Sequence, residues 1–236
     1  MLFQNIGKER VLITTLFGDN ININVINLHR KVMLEHFNLQ INYIKCPFPQ
    51  VSHGSCINYI IKNTIDEKDP PDYYWFIDID CIALQKRAIE IMFDMVRNKI
   101  TIWGHAWQSN HKIGPNGTVF HPYAGPACLC FSREIYNQLK RPDMDHNGKY
   151  SDTAEELTYA AKQNGYNIAL IYPSSSITSD CRLDNGFSYG FGNIYGSNLW
   201  FHCSDTSHKD HVSLFCSKCQ DVLNNKFELV SNISNI

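Results

Sequence analysis

Two short runs of the chain carry no polar alternation, and this narrows the folds open to it. Residues 10–17 (RVLITTLF) and 73–77 (YYWFI) are almost wholly β-branched, aliphatic or aromatic, the composition of extended strands. A strand with one face in water alternates apolar and polar residues, whereas one covered on both faces does not. Between these runs, apolar residues recur at Ile23, Ile26, Val32, Met33 and Phe37, an approximate helical stripe over 23–37. Residues 41–46 form a second short strand, and 55–64, beyond Pro47 and Pro49, a second helix. Strands and helices alternating in this way predict an α/β fold, with a mostly parallel central sheet covered by helices on both faces. Ligands of such sheets sit beyond the carboxyl ends of the strands.

Further along, the pattern predicts a helix over 88–97, a strand over 99–103, and a turn at Gly114-Pro115-Asn116-Gly117. A strand over 127–131 leads to Ser132 as N-cap of a helix over 133–139. A helix over 152–164, a strand over 167–172 and a glycine-rich loop over 174–197 follow, then a strand over 199–202 and a last helix over 212–223. No repeat or low-complexity linker interrupts the 236 residues, so 1–236 reads as a single domain. The net charge of −2 supplies no bulk attraction for nucleic acid or an anionic membrane. No apolar run reaches the roughly eighteen residues of a transmembrane helix, and the N-terminus lacks the pattern of a secretory leader. The nine cysteines lie mostly among apolar residues. They read as reduced thiols, and the expected location is cytoplasmic.

The chemistry concentrates at the end of the 73–77 strand. Asp78 and Asp80 are one residue apart, a spacing that brings both carboxylates near one point while Ile79 turns inward. Two like charges so close repel, and a divalent cation relieves them. Mn²⁺ or Mg²⁺ held there would neutralise the charge of a diphosphate leaving group. Thr14, Thr15, Phe17 and Asp19 at the first strand's end are candidates for base or ribose contacts. His53-Gly54-Ser55 opens a helix whose first amides could face phosphate. His202 suits Mn²⁺ as a ligand, and equally suits the core with its nitrogens satisfied. Asp152 followed by Glu155 reads either as a capping box or as the source of a general base.

In this order the motifs resemble the glycosyltransferases with the GT-A fold. The strand ending in Asp-x-Asp is YYWFIDIDCIAL (73–84), and Tyr123-Ala124-Gly125-Pro126 running into ACLCF resembles the segment beside the donor sugar. SDTAEELTYAAKQNGY (151–166) resembles the helix start that carries the catalytic acid of inverting members, and Phe201-His202-Cys203 a late strand whose His completes the metal site. The resemblance spans roughly residues 11–223. It implies a single GT-A-like, Rossmann-like domain, a metal-dependent hexosyl- or N-acetylhexosaminyl-transferase. Such an enzyme moves a sugar from a nucleoside-diphosphate donor, taken as UDP-linked, to a hydroxyl of a glycan or other acceptor. It further implies Asp80 and His202 at the metal, Asp78 at the metal or at the donor's ribose, Gly125 at the donor, and Asp152 or Glu155 as base. The usual Glu-Asp pair of inverting members does not align, because Thr153-Ala154 stand in its place.

Two other readings compete. Cys203, His208, His211, Cys216 and Cys219 fall within seventeen residues, a density that could hold structural Zn²⁺ in a non-enzymatic interaction module. Cys216 and Cys219 also fit the apolar stripe of the last helix, where buried thiols are common. A nucleotidyltransferase on a related fold would carry a glycine-rich loop with Arg and Lys after the first strand, and Gly18-Asp19-Asn20 is not that.

Overall fold

The computed structural model describes residues 1–47, 50–97, 100–109, 122–146, 152–177, 181–182 and 188–227. The turn expected at 114–117 lies outside them. In chain order the elements are β1 (Gln4–Ile6), β2 (Glu9–Phe17), α1 (Ile23–Arg30), a π-helical turn (Lys31–His36), β3 (Ile41–Lys45), α2 (His53–Thr64), β4 (Tyr73–Ile77), β5 (Cys81–Ala83) and α3 (Lys86–Val96). There follow β6 (Thr101–Gln108), β7 (Pro122–Ser132), α4 (Arg133–Gln138), α5 (Glu155–Gln163), β8 (Asn167–Ile171), β9 (Pro173–Ser176), β10 (Cys181–Arg182), β11 (Ser188–Tyr189), β12 (Gly192–Tyr195), β13 (Trp200–Cys203) and α6 (Lys209–Leu223).

A seven-stranded sheet forms the centre, in the order β1-β2-β4-β7-β6-β8, with β3 also paired to β2. The pairs β2–β3, β2–β4 and β6–β8 are parallel, and β7 runs antiparallel to both β4 and β6. The strands β2, β3, β4, β6 and β8 therefore point one way, as the unalternated runs predict, while β1 and β7 oppose them.

Alternation along each strand sends side chains to two separate cores. Val11, Ile13, Tyr73, Trp75 and Ile77 pack with α1, α3 and α6, whereas Leu12, Leu16, Tyr74 and Phe76 pack with α2, α4 and α5. Each such side chain, taken fully out of water, contributes roughly 1.5–3 kcal/mol. Because both faces are covered, no position on β4 is left for a polar residue until the chain leaves the sheet at Asp78.

Several expected boundaries move. The stripe over 23–37 is an α-helix to Arg30 and a π-helical turn thereafter. The strand expected over 99–103 runs to Gln108, and that over 127–131 begins at Pro122. Among the described residues of the glycine-rich segment 174–197, expected as one loop, there are strands: β9 and β12 join β13 and β5 in a second, antiparallel sheet ordered β5-β13-β12-β9. The helix expected from 152 begins at Glu155, with Ala154 in the left-handed conformation (φ 64°) as its cap. Asp152 is thus not its N-cap.

Helix α2 starts at His53, capped by Ser52, whose Oγ accepts from the Ser55 amide at 3.0 Å. Its first turn lies hard against another segment. A methyl group on Gly54 would sit 2.3 Å from the Met144 carbonyl oxygen and 2.4 Å from the Asp145 Cα. Alanine inside a helix ordinarily stabilises by up to about 1 kcal/mol, but backbone cannot yield cheaply to such overlap. Gly54→Ala is expected to destabilise the protein by ~1–3 kcal/mol, read as a lower midpoint in urea. An unchanged midpoint would show that the approach is not tight.

Candidate metal centre

The second sheet explains how three side chains far apart in sequence meet. Asp78 follows the last residue of β4, its amide donating to the Ala127 carbonyl at 3.0 Å, and the Cys81 amide closes the turn onto the Asp78 carbonyl at 3.0 Å. Strand β5 then pairs with β13, placing His202 opposite Cys81. The Cys203 amide donates to the Asp80 carbonyl at 2.9 Å, extending that pairing into the turn. His202 Nε2 consequently lies 3.4 Å from Asp80 Oδ1 and 3.8 Å from Asp78 Oδ2. One ligand atom from each of the three lies within 4.8 Å of the others, a separation a single cation can span. Two carboxylates and an imidazole form a donor set suited to Mn²⁺ or Mg²⁺, so the residues present fit a divalent metal.

Electrostatics support the same reading. Burial pushes the Asp78 carboxyl above its ordinary range, opposed by His53, reinforced by the Asp80 charge, and opposed again by His202. For His202 burial works downward, but the hydrogen bond and charge of Asp80, with the charge of Asp78, leave it raised overall. The two acids thus lie in a poorly solvated place and draw positive charge toward themselves. Thr206 Oγ1 donates to Asp80 Oδ2 at 3.1 Å and fixes that carboxylate's orientation, as outer partners of metal ligands do. Nothing in the sequence marked Thr206.

A cleft of about 280 Å³ opens over this turn, lined by Leu16, Phe17, Gly18, Asn20, Ile21, His53, Asp78, Ile79 and Asp80. It lies where the carboxyl ends of β2 and β4 adjoin, the expected position for a ligand of a parallel sheet. His53 at the start of α2 points Nε2 to 3.6 Å from Asp78 Oδ1.

The other candidates separate. Phe17 lines the cleft. Thr14 and Thr15 do not, being fully buried within β2, because the strand carries the sheet's interior past them before it ends. Asp19 is turned outward and pairs with Lys45. Gly125 lies against the Trp107 indole, where a methyl group would come within 2.4 Å of Cδ1. That ring sits 5.8 Å, centroid to centroid, from the His202 ring. The cysteines and histidines of the zinc reading are not gathered: Cys203, His208, His211, Cys216 and Cys219 bring no three ligand atoms within 4.8 Å. Cys219 is buried on α6, as the helical stripe suggests.

Asp152 and Glu155 differ sharply. Glu155 is fully buried; it accepts from the Ser109 hydroxyl and, through Oε2, from the Asp152 amide at 3.2 Å. This is one half of a capping box, with the backbone of Asp152 but not its side chain taking part. Asp152 is partly exposed, and burial raises its carboxyl above the usual range, opposed by the nearby Tyr123 hydroxyl. Tyr123 on β7 faces Trp107 in the register of β6 and β7. Trp107 is thus neighbour both to Tyr123 across the strand pair and to the His202 ring.

No protein-family model matches the chain, and no curated protein sequence matches it. Among solved structures it is similar to the catalytic domain of Drosophila β1,4-galactosyltransferase 7 in complex with xylobiose, at 12% identity over 84% of this chain and 72% of that one, TM-score 0.47. It is also similar to a mutant of that enzyme in complex with manganese, UDP-Gal and xylobiose, at 14% identity over 75% of this chain and 69% of that one, TM-score 0.42. Both likenesses are slight, and what the site can do rests on its own residues. Fold and site together define an α/β protein with a carboxylate–imidazole centre for a divalent cation at the carboxyl ends of its parallel strands.

Proposed function

We propose that the chain is a metal-dependent glycosyltransferase that moves a sugar from a nucleoside-diphosphate sugar, UDP-linked, to a hydroxyl of a glycan acceptor. The observation that carries this reading is the convergence of Asp78, Asp80 and His202 on one point beside the cleft at the ends of β2 and β4. Asp80 and His202 would hold the cation with Asp78, and the bound cation would offset the negative charge of the departing diphosphate. Phe17 lines the same cleft and supports a donor base stacked over the end of β2. Asp152, rather than Glu155, is the group proposed to take the acceptor's proton. In that step the acceptor oxygen bonds to the anomeric carbon, the bond from that carbon to phosphate breaks, and the hydroxyl proton passes to the Asp152 carboxylate. A sugar hydroxyl is a poor nucleophile until its proton is removed during attack.

A panel of nucleoside diphosphates, each with Mn²⁺ or with EDTA, tests the reading by thermal shift. A ligand at a hundredfold excess over its dissociation constant stabilises the folded state by about 2.7 kcal/mol. At least one diphosphate, expected to be UDP, should raise the melting temperature with Mn²⁺ and leave it unchanged with EDTA. Equal shifts under both conditions would remove the metal from the mechanism.

A further inference from the structure

Beside the Asp-x-Asp turn, where Cys81 stands opposite His202 in the pairing of β5 with β13, lies a second cluster. One ligand atom each from Cys81, His105 and Cys128 falls within 4.8 Å of the other two, and all three residues are fully buried. They come from β5, β6 and β7. Cys128 stands opposite Ile77 in the register of β4 and β7. His105 falls where the pairing of β6 with β7 slips, an irregularity of the kind that re-aims a side chain.

His105 poses a physical problem as it stands. Both of its ring nitrogens are buried and neither has a hydrogen-bond partner. The Tyr195 ring stacks on it at 3.9 Å and 10°, and the Trp103 and Trp200 rings lie at 5.7 Å and 6.0 Å. These rings fix the plane of the imidazole, but a stacked ring gives its in-plane nitrogens nothing to bond. A buried polar group left unpaired is costly, and a missing ion is among the explanations that such a group calls for.

We propose that Cys81, Cys128 and His105 form a second metal centre, one that takes a thiophilic cation of the Zn²⁺ class. Two sulfurs and an imidazole are the donors that Zn²⁺ accepts and that Mg²⁺ and Mn²⁺ do not favour. The centre is thereby separated in chemistry from the oxygen-rich one beside it. Binding releases two protons: both thiols become thiolates, and with the dication they leave a neutral unit in the core. Burial holds His105 well below its ordinary pKa, so its imidazole is already in the neutral form that ligates. The Trp75 indole N–H donates to the Cys128 sulfur at 3.3 Å, a hydrogen bond that strengthens when that sulfur is a thiolate. His29 Nε2 lies 3.0 Å from the Cys81 carbonyl oxygen and steadies β5 behind the site. Since the three ligands are sealed inside, the ion enters as the chain folds.

The whole chain, refolded under reducing conditions with Co²⁺ standing in for Zn²⁺, reads the site directly through thiolate-to-cobalt charge-transfer absorption. The expected result is thiolate bands from about one equivalent of Co²⁺, displaced by Zn²⁺, retained in Asp80→Asn and lost in Cys128→Ser and His105→Phe. Wild-type protein that folds with Co²⁺ and shows no thiolate band overturns the proposal, whatever the variants do. Bands that survive in folded Cys128→Ser would place the ion on other cysteines and overturn it too. So would a Cys81–Cys128 disulfide in freshly purified protein, found by non-reducing peptide mapping.

Discussion

Asp80→Asn is expected to leave the chain folded and to abolish Mn²⁺-dependent binding of the nucleoside diphosphate. Asn has nearly the shape of Asp, and its side-chain oxygen can still accept from Thr206, which donates to Asp80 Oδ2 at 3.1 Å. What it lacks is the charge. Asp80 Oδ1 lies 3.4 Å from His202 Nε2, so the substitution removes one of the two negative charges that make this corner attractive to a dication. Loss of an outer partner of a metal ligand typically costs ~10–100-fold in affinity or activity. Loss of a ligand that also carries half of the site's negative charge should exceed that. The check is sugar-transfer rate and Mn²⁺ titration on the variant, beside a melting curve showing that it is folded. A variant that bound Mn²⁺ and nucleotide as wild type does would mean that another set of residues holds the metal.

How much of this was readable beforehand depended on whether the cause was local. The runs 10–17 and 73–77 are strands because their own composition and their burial on both faces require it, and Asp78 and Asp80 stand out because polar residues end an apolar run. The strands inside 174–197 are not legible in the sequence, for the opposite reason. Pro173–Ser176 and Gly192–Tyr195 are poor in β-branched residues, and they become strands by pairing with each other and with Trp200–Cys203. The reversed direction of β7 was likewise invisible, since a strand's sequence does not record which way its neighbour runs. His202 could be suspected as a ligand, but only the pairing of β5 with β13 brings it to Asp80. Thr206 and Ser109, which hold Asp80 and Glu155, left no local signal. The capping-box pattern at Asp152 and Glu155 was half right. The Glu155 carboxylate does reach back to the Asp152 amide, but the left-handed Ala154 lies between Asp152 and the helix and frees the Asp152 side chain from capping.

That freedom leads to the second large effect. Asp152→Asn should reduce sugar transfer by the ~10²–10⁴ that general-base catalysis supplies, while donor binding and melting temperature stay at wild-type values or rise slightly. The direction of the stability change follows from the pKa. Burial raises the Asp152 carboxyl in the folded protein, so its charged form is disfavoured by folding, and any stability this carries is present at low pH and lost as pH rises through the raised value. An amide never ionises and escapes that cost. The base must be ionised to act, so wild-type activity should fall on the acid side through a pKa above the ordinary Asp value of 3.8, and the residual activity of the variant should lack that limb. Glu155→Gln supplies the contrast. Both Glu155 oxygens accept hydrogen bonds inside the protein, and an amide nitrogen in place of one of them would face a donor. The expected cost is ~1–3 kcal/mol of stability, with the transfer rate per folded molecule little changed. If Asp152→Asn transferred sugar at the wild-type rate with its acid limb intact, Asp152 would be no base. A reaction that retains the sugar's configuration would then be the better account of the site.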